Sequence, residues 1–199
     1  MALLHFLKDS LLGSVPVSPN DPLPVTPGVS GAAGSATASF GSADVTLTRT
    51  ANTTAYTAND VIGIDNAGSA GAAALTFANM GRAGGGNIMI TSVMLEVDDT
   101  GVISGETSYD LHLYSVTPPS ALLDNAAFDL PSGDRASYLG KVSLGTPVDI
   151  GSTLYVETHG VNKQVALASS SLFGYLVTVG AYTPTSGRVY RVKLRSIVL

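Results

Sequence analysis

From Asp44 to the C-terminus the sequence keeps returning to one signal: a short β-prone run, closed by Gly, Pro, Asn or Asp. The last run is the clearest. In Val189–Val198, Tyr190, Val192 and Leu194 alternate with Arg191, Lys193 and Arg195. A period of two sends successive side chains to opposite faces, so such a run can bury one face only as a strand. In Tyr109–Val116, Tyr109, Leu111 and Leu113 face one way while Asp110 and His112 face the other. Val45–Arg49, Val61–Ile64, Ile88–Val97, Tyr138–Leu144, Thr153–Thr158, Val165–Ala168 and Phe173–Val179 are further strand candidates. In Ile88–Val97, the residues Met89, Val93, Leu95 and Val97 mostly share a parity. Only Ser120–Phe128 offers a helical turn or two. No alternation of helices with strands is present, which argues against doubly wound and TIM-barrel architectures. The expected fold is all-β, a jelly-roll-like antiparallel β-sandwich over residues 44–199. Its core candidates are Leu111, Leu113, Leu144, Leu154, Val156, Val177, Val192 and Leu194.

Residues 1–43 read differently. Pro16, Pro19, Pro22, Pro24 and Pro27 each fix φ, remove a donor and push the preceding residue to extended geometry. That predicts a semi-rigid extended N-terminal arm, and the Gly/Ala/Ser-rich stretch 28–42 reads as a flexible linker. Such an arm cannot bury itself. Ordering each residue costs about 1–2 kcal/mol of backbone freedom, so it becomes fixed only where apolar side chains find grooves on a partner. Leu3, Leu4, Phe6, Leu7, Val15, Val17, Leu23 and Val25 are the candidate partner-binding residues.

The chemistry available is narrow. Charged residues are 13% of the chain, against about 25% in an ordinary domain. The net charge of −5 offers no general attraction to nucleic acid or to an anionic membrane, and neither is expected as a partner. Arg188, Arg191, Lys193 and Arg195 cluster near the C-terminus and read as the solvent face of one strand. With no cysteine, disulfides, thiolate metal sites and cysteine nucleophiles are excluded together. The start, Met1 to Leu12, is apolar but has no basic n-region, and Lys8 and Asp9 interrupt it; it does not read as a secretory signal. No run of about 18 apolar residues suggests a membrane span.

His5, His112 and His159 are far apart in sequence and show no metal-ligand spacing; His112 sits in the polar phase of its strand. Glu96, Asp98 and Asp99 before Gly101 read as a hairpin connection, without the oxygen-ligand spacing of a calcium loop. The glycines of 81–87 lack the Gly-Lys-Ser/Thr ending of a phosphate loop and read as a turn entering the strand at Ile88. Asn52-Thr-Thr matches a glycosylation sequon formally. No nucleophile elbow and no acid–base pair of carboxylates stands out. No catalytic residue, metal ligand or cofactor is therefore expected, and the chain is expected to be non-enzymatic.

Two blocks of sequence carry a resemblance. One is Leu47-Thr-Arg-Thr-Ala-Asn-Thr-Thr-Ala-Tyr-Thr-Ala-Asn-Asp-Val-Ile-Gly; the other runs from Leu111-His-Leu-Tyr-Ser-Val-Thr-Pro-Pro through Leu123-Asp-Asn-Ala-Ala-Phe-Asp-Leu to Tyr138-Leu-Gly. With Leu172-Phe-Gly-Tyr-Leu-Val and Tyr182-Thr-Pro-Thr-Ser-Gly, they resemble tailed-bacteriophage virion structural proteins, the head decoration, cement or minor structural proteins. Lys8-Asp-Ser, Val15-Pro-Val-Ser and Pro22-Leu-Pro-Val are similar to the starts of many phage structural proteins. The resemblance implies a jelly-roll-like sandwich without catalysis. Its partners would be the major capsid protein and sister copies of itself, as a dimer or trimer. It would be made in the bacterial cytoplasm and located on the capsid surface. A tail, neck or fibre component is the alternative; from a different class, so is a carbohydrate-binding β-sandwich. No site residue carries over. Tyr56, Asp60 and Gly63 suit a turn and its packing, and Asp124, Asn125 and Phe128 suit a loop with one aromatic anchor.

Overall fold

The computed structural model of the protein describes residues 39–64 and 74–199, and there the alternating runs form ten strands. One sheet takes β1 (Phe40–Thr48), β10 (Val189–Val198), β4 (Gly86–Asp98), β8 (Thr153–Leu167) and β7 (Val148–Asp149), in that spatial order. The other takes β2 (Val61–Ile62), β9 (Leu172–Thr178), β5 (Tyr109–Tyr114) and β6 (Tyr138–Leu144), with β3 (Leu75–Phe77) also on β9. β2 and β3 meet successive stretches of β9, Val61 opposite Val177 and Leu75 opposite Gly174, so they act as one interrupted strand. Apart from the two-residue β7, the sheets then reduce to β1-β10-β4-β8 and β2/β3-β9-β5-β6, all antiparallel. The chain crosses between the sheets from β1 to β2, β3 to β4, β4 to β5, β6 to β7, β8 to β9 and β9 to β10. That interleaving is the jelly roll, a sandwich whose two sheets are wound together rather than folded one after the other.

Alternation explains what is buried. In β10, Tyr190, Val192 and Leu194 are fully buried, while Arg191, Lys193 and Arg195 lie on the outer face. β4 begins with Ile88 and Ile90 inward and then shifts phase at a bulge, so that Val93, Leu95 and Val97 continue the same face. Met89 consequently leaves the expected parity and points outward with Ile197 and Phe40, its row partners. Seven of the eight core candidates join the core between the sheets; Val177 is buried instead on the far side of its sheet.

β5 is buried on both faces. Residues 115–137 run over the outside of its sheet, and Leu122, Phe128 and Leu130 pack there against Val61, Tyr114, Tyr175 and Val177. This strap contains Ser120–Phe128, which forms turns and one isolated bridge, Asp60 to Ala127, rather than a helical turn. Three further expectations need correction. Thr153–Thr158 and Val165–Ala168 belong to one strand, β8, bent at Gly160 and Asn162, which take φ of 63° and 48°. β1 begins at Phe40, inside the stretch read as linker. The segment after Asp98 and Asp99 is a crossover between the sheets rather than a hairpin within one.

Candidate functional site

Leu47–Gly63 and the strap, distant in sequence, meet at one end of the sandwich. Arg49, the residue after β1, is fully buried there, and its Nε donates to the Tyr56 hydroxyl at 2.6 Å. Tyr56 in turn donates to Asp124 Oδ1 at 2.7 Å, and Asp124 Oδ2 lies 3.3 Å from Arg49 Nε. The guanidinium also donates to the carbonyls of Asn52 and Thr54 and to Asn125 Oδ1. Asp124 accepts the Gly63 N–H as well. Asp60 caps its own turn through the N–H and hydroxyl of Thr57, and the Phe128 N–H donates to the Asn59 carbonyl. A charge can be buried when it is paired and its remaining hydrogen-bonding groups are satisfied, and Arg49 meets both conditions.

A second buried arginine adjoins the first: the Arg49 N–H donates to the Arg188 carbonyl at 2.9 Å. Arg188 was expected on a solvent face; it is buried instead, immediately before β10. Its Nη2 donates to Glu106 at 3.0 Å and its Nε lies 3.0 Å from Asp99 Oδ2, while the Tyr182 and Tyr190 rings flank the guanidinium at 5.6 Å. Tyr109 donates to the other Glu106 oxygen, and the Tyr182 and Tyr190 hydroxyls are 2.9 Å apart. The Tyr56 ring packs tilted against Tyr182, with centroids 5.4 Å apart, and joins the two clusters. Burial is the main cause that raises the phenols of Tyr56, Tyr109 and Tyr190 above the ordinary value, and it pushes Tyr182 up to about 12. They therefore remain neutral hydrogen-bonding groups through the working pH range.

Beneath the strap, Asp110 accepts from Lys141 and from Ser143, both at 2.6 Å. His112 lies against Phe128 with centroids 3.7 Å apart, and its Nδ1 is 3.0 Å from the Tyr138 hydroxyl. Burial lowers its pKa to about 4, with Asp110 opposing and Lys141 adding to the shift. The imidazole is thus neutral at physiological pH. These groups tie strap to sheet. None forms a nucleophile–base pair, and among the described residues no group of three His, Cys, Asp or Glu is placed to hold a metal.

No family model and no curated protein matches this chain. Among solved structures, it is similar to the K3 cleaved adhesin domain of Lys-gingipain from Porphyromonas gingivalis, at 14% identity over 68% of each chain. The TM-score is 0.23, too low to carry an argument.

The two sheets differ in what covers them. The strap covers the outer face of the β5 sheet, whereas the outer face of the β10 sheet carries no such layer among the described residues. On it, Arg191 pairs with Asp44 at 2.7 Å across β1 and β10, and Lys193 with Glu96 at 2.5 Å across β10 and β4. Tyr155 donates to Glu157 on β8, and His159 stands 3.2 Å from the same carboxylate. At one end of this face lie Phe40, 74% exposed, Ile197 and Met89 in one row.

Leu3, Leu4, Phe6, Leu7, Val15, Val17, Leu23 and Val25 all lie outside the described residues. Sequence reasoning placed Tyr56, Asp60, Gly63, Asp124, Asn125 and Phe128 in turns and loops. The structure brings these residues together into one joint. The reading missed the burial of Arg49, Glu106 and Arg188, whose only sequence signal is a charged residue beside a strand end or in a crossover.

Proposed function

We propose that this chain is a non-enzymatic structural protein of a tailed-phage virion, a decoration or cement protein that binds the outside of the assembled head and stabilises it. The observation that carries this reading is the outer face of the β10 sheet, which carries no covering layer among the described residues and on which Arg191 and Lys193 are already paired with Asp44 and Glu96. A face whose charges are paired before contact can be covered without leaving a charge uncompensated. The apolar row of Phe40, Met89 and Ile197 at its end supplies a patch to bury. On this reading the face meets the major capsid protein, and the arm residues Leu3 to Val25 reach sister copies or the lattice. Two weak contacts on one chain then act together through effective concentration.

The test compares heads carrying the wild-type chain with heads carrying Phe40→Asp or Arg191→Glu, under heat and low salt. The reading expects folded variants that leave the head and heads that break at lower temperature. Recovery of the wild-type chain with tails alone would move it to the tail, neck or fibre alternative. Absence from particles would end the virion reading.

A further inference from the structure

β6 is the edge of one sheet, and β8, past its short pairing with β7 at Leu154 and Tyr155, is the edge of the other; among the described residues no strand lies between them. Each carries an irregularity where they face one another. In β6, Gly140 at φ 87° adjoins a register shift against β5. In β8, residues 160–162 stand opposite Thr91 alone. Bulges at sheet edges re-aim side chains and end strand pairing. Here each is followed directly by a lysine, Lys141 and Lys163. Between the strands lies a groove of about 390 Å³ lined by those two lysines, Val142, Thr158 and Val161. That is within the range of about 300–1,000 Å³ over which proteins hold ligands.

Lys163 is the unusual residue. It sits opposite Ile90 and on the same strand face as Val165 and Leu167, all core residues, so its side chain points inward at the open edge. Its ammonium reaches β6 at Gly140, where an added Cβ would stand 3.0 Å from Nζ. Lys163 makes no ion pair or hydrogen bond with any described residue, whereas Lys141 is paired to Asp110. On β6, which has β5 as its one strand partner, the Ser143 carbonyl turns toward the gap and accepts from Thr158 at 3.4 Å.

We propose that this groove docks an extended peptide segment of a partner protein bearing an aspartate or glutamate, whose carboxylate pairs with Lys163. An extended chain matches both features: it offers main-chain groups to the β6 edge, which pairs with β5 alone among the described strands, and a carboxylate to the Lys163 ammonium. Val142 and Val161 receive apolar side chains two residues to either side of the acidic residue, on the same face of the extended chain. A sugar acid could offer only the carboxylate.

The experiment is an NMR titration of the full chain with three probes: a blocked heptapeptide with a central aspartate, valines two residues to either side of it and serines elsewhere, its asparagine counterpart, and glucuronate. The aspartate peptide should move the amides of Lys141, Val142, Thr158, Val161 and Lys163. The asparagine peptide should bind roughly tenfold more weakly, as should the aspartate peptide to Lys163→Gln, while Lys163→Arg keeps the affinity. An unchanged melting midpoint for Lys163→Gln shows that the variant is folded. Failure of the aspartate peptide to bind, equal binding of both peptides, indifference to Lys163→Gln, or glucuronate moving these amides in place of the peptide would each overturn the proposal.

Discussion

Tyr56 donates its hydroxyl to Asp124 across 2.7 Å, joining residues 68 positions apart and fastening the strap to the crossover that leaves β1. Arg49 completes the triangle with both side chains. Because the arginine is fully buried and the aspartate is 3% exposed, neither can fall back on water.

Removing one partner is therefore expected to cost more than removing both. Asp124→Ala leaves the Arg49 charge buried beside an empty site and should destabilise by about 3–5 kcal/mol. Arg49→Met with Asp124→Leu should lose clearly less than the sum of the single changes. Urea unfolding of the four proteins in a double-mutant cycle gives the coupling directly. Additive losses would show that the pair does not act as a unit.

All eight tyrosines are raised above the ordinary phenol value, in seven of them chiefly by burial and in Tyr155 by its hydrogen bond to Glu157. Since the folded pKa exceeds the unfolded one, their contribution to stability is complete below pH 10 and fades as pH rises further. An ultraviolet titration of the native protein should show little tyrosinate near pH 10, and the unfolded chain about half ionisation. A native titration that follows the unfolded one would contradict the buried clusters.

His112 works with the opposite sign. Its folded pKa of about 4 lies below the unfolded 6.5, so the unfolded chain binds the extra proton between those values. The contribution is fully present above pH 6.5 and is lost as pH falls toward 4. His112→Gln should flatten the stability difference across this window relative to the wild type, measured by denaturant midpoints at each pH. The loss should begin at the strap, seen as earlier amide exchange at Phe128 than in β4.

The strands were most legible where one side faces water and the other the core. Tyr138–Leu144 and Val189–Val198 match β6 and β10 end to end. β3 and β7 were not anticipated, because three and two residues are too few to show a period. β8 read as two strands since Gly160 and Asn162 break its alternation without ending it. Asp110 and His112 have the right parity but lie under the strap, an irregular segment whose docking no periodicity announces. Arg188 shows the deeper limit. A basic residue beside three others reads as solvent-facing, and it is Glu106, 82 positions earlier, together with Asp99 that makes its burial possible. The joint at Asp124 has the same origin: its residues were visible in sequence, their pairing was not.

The central claim is that this jelly roll is a part of a virion head, and quantifying the chain in purified, fractionated particles tests it most directly. The account predicts that it is recovered with heads in copy number proportional to the capsid lattice, and lost from them when Phe40 and Arg191 are changed. Particles free of the chain, with the protein found only elsewhere in the culture, would contradict it.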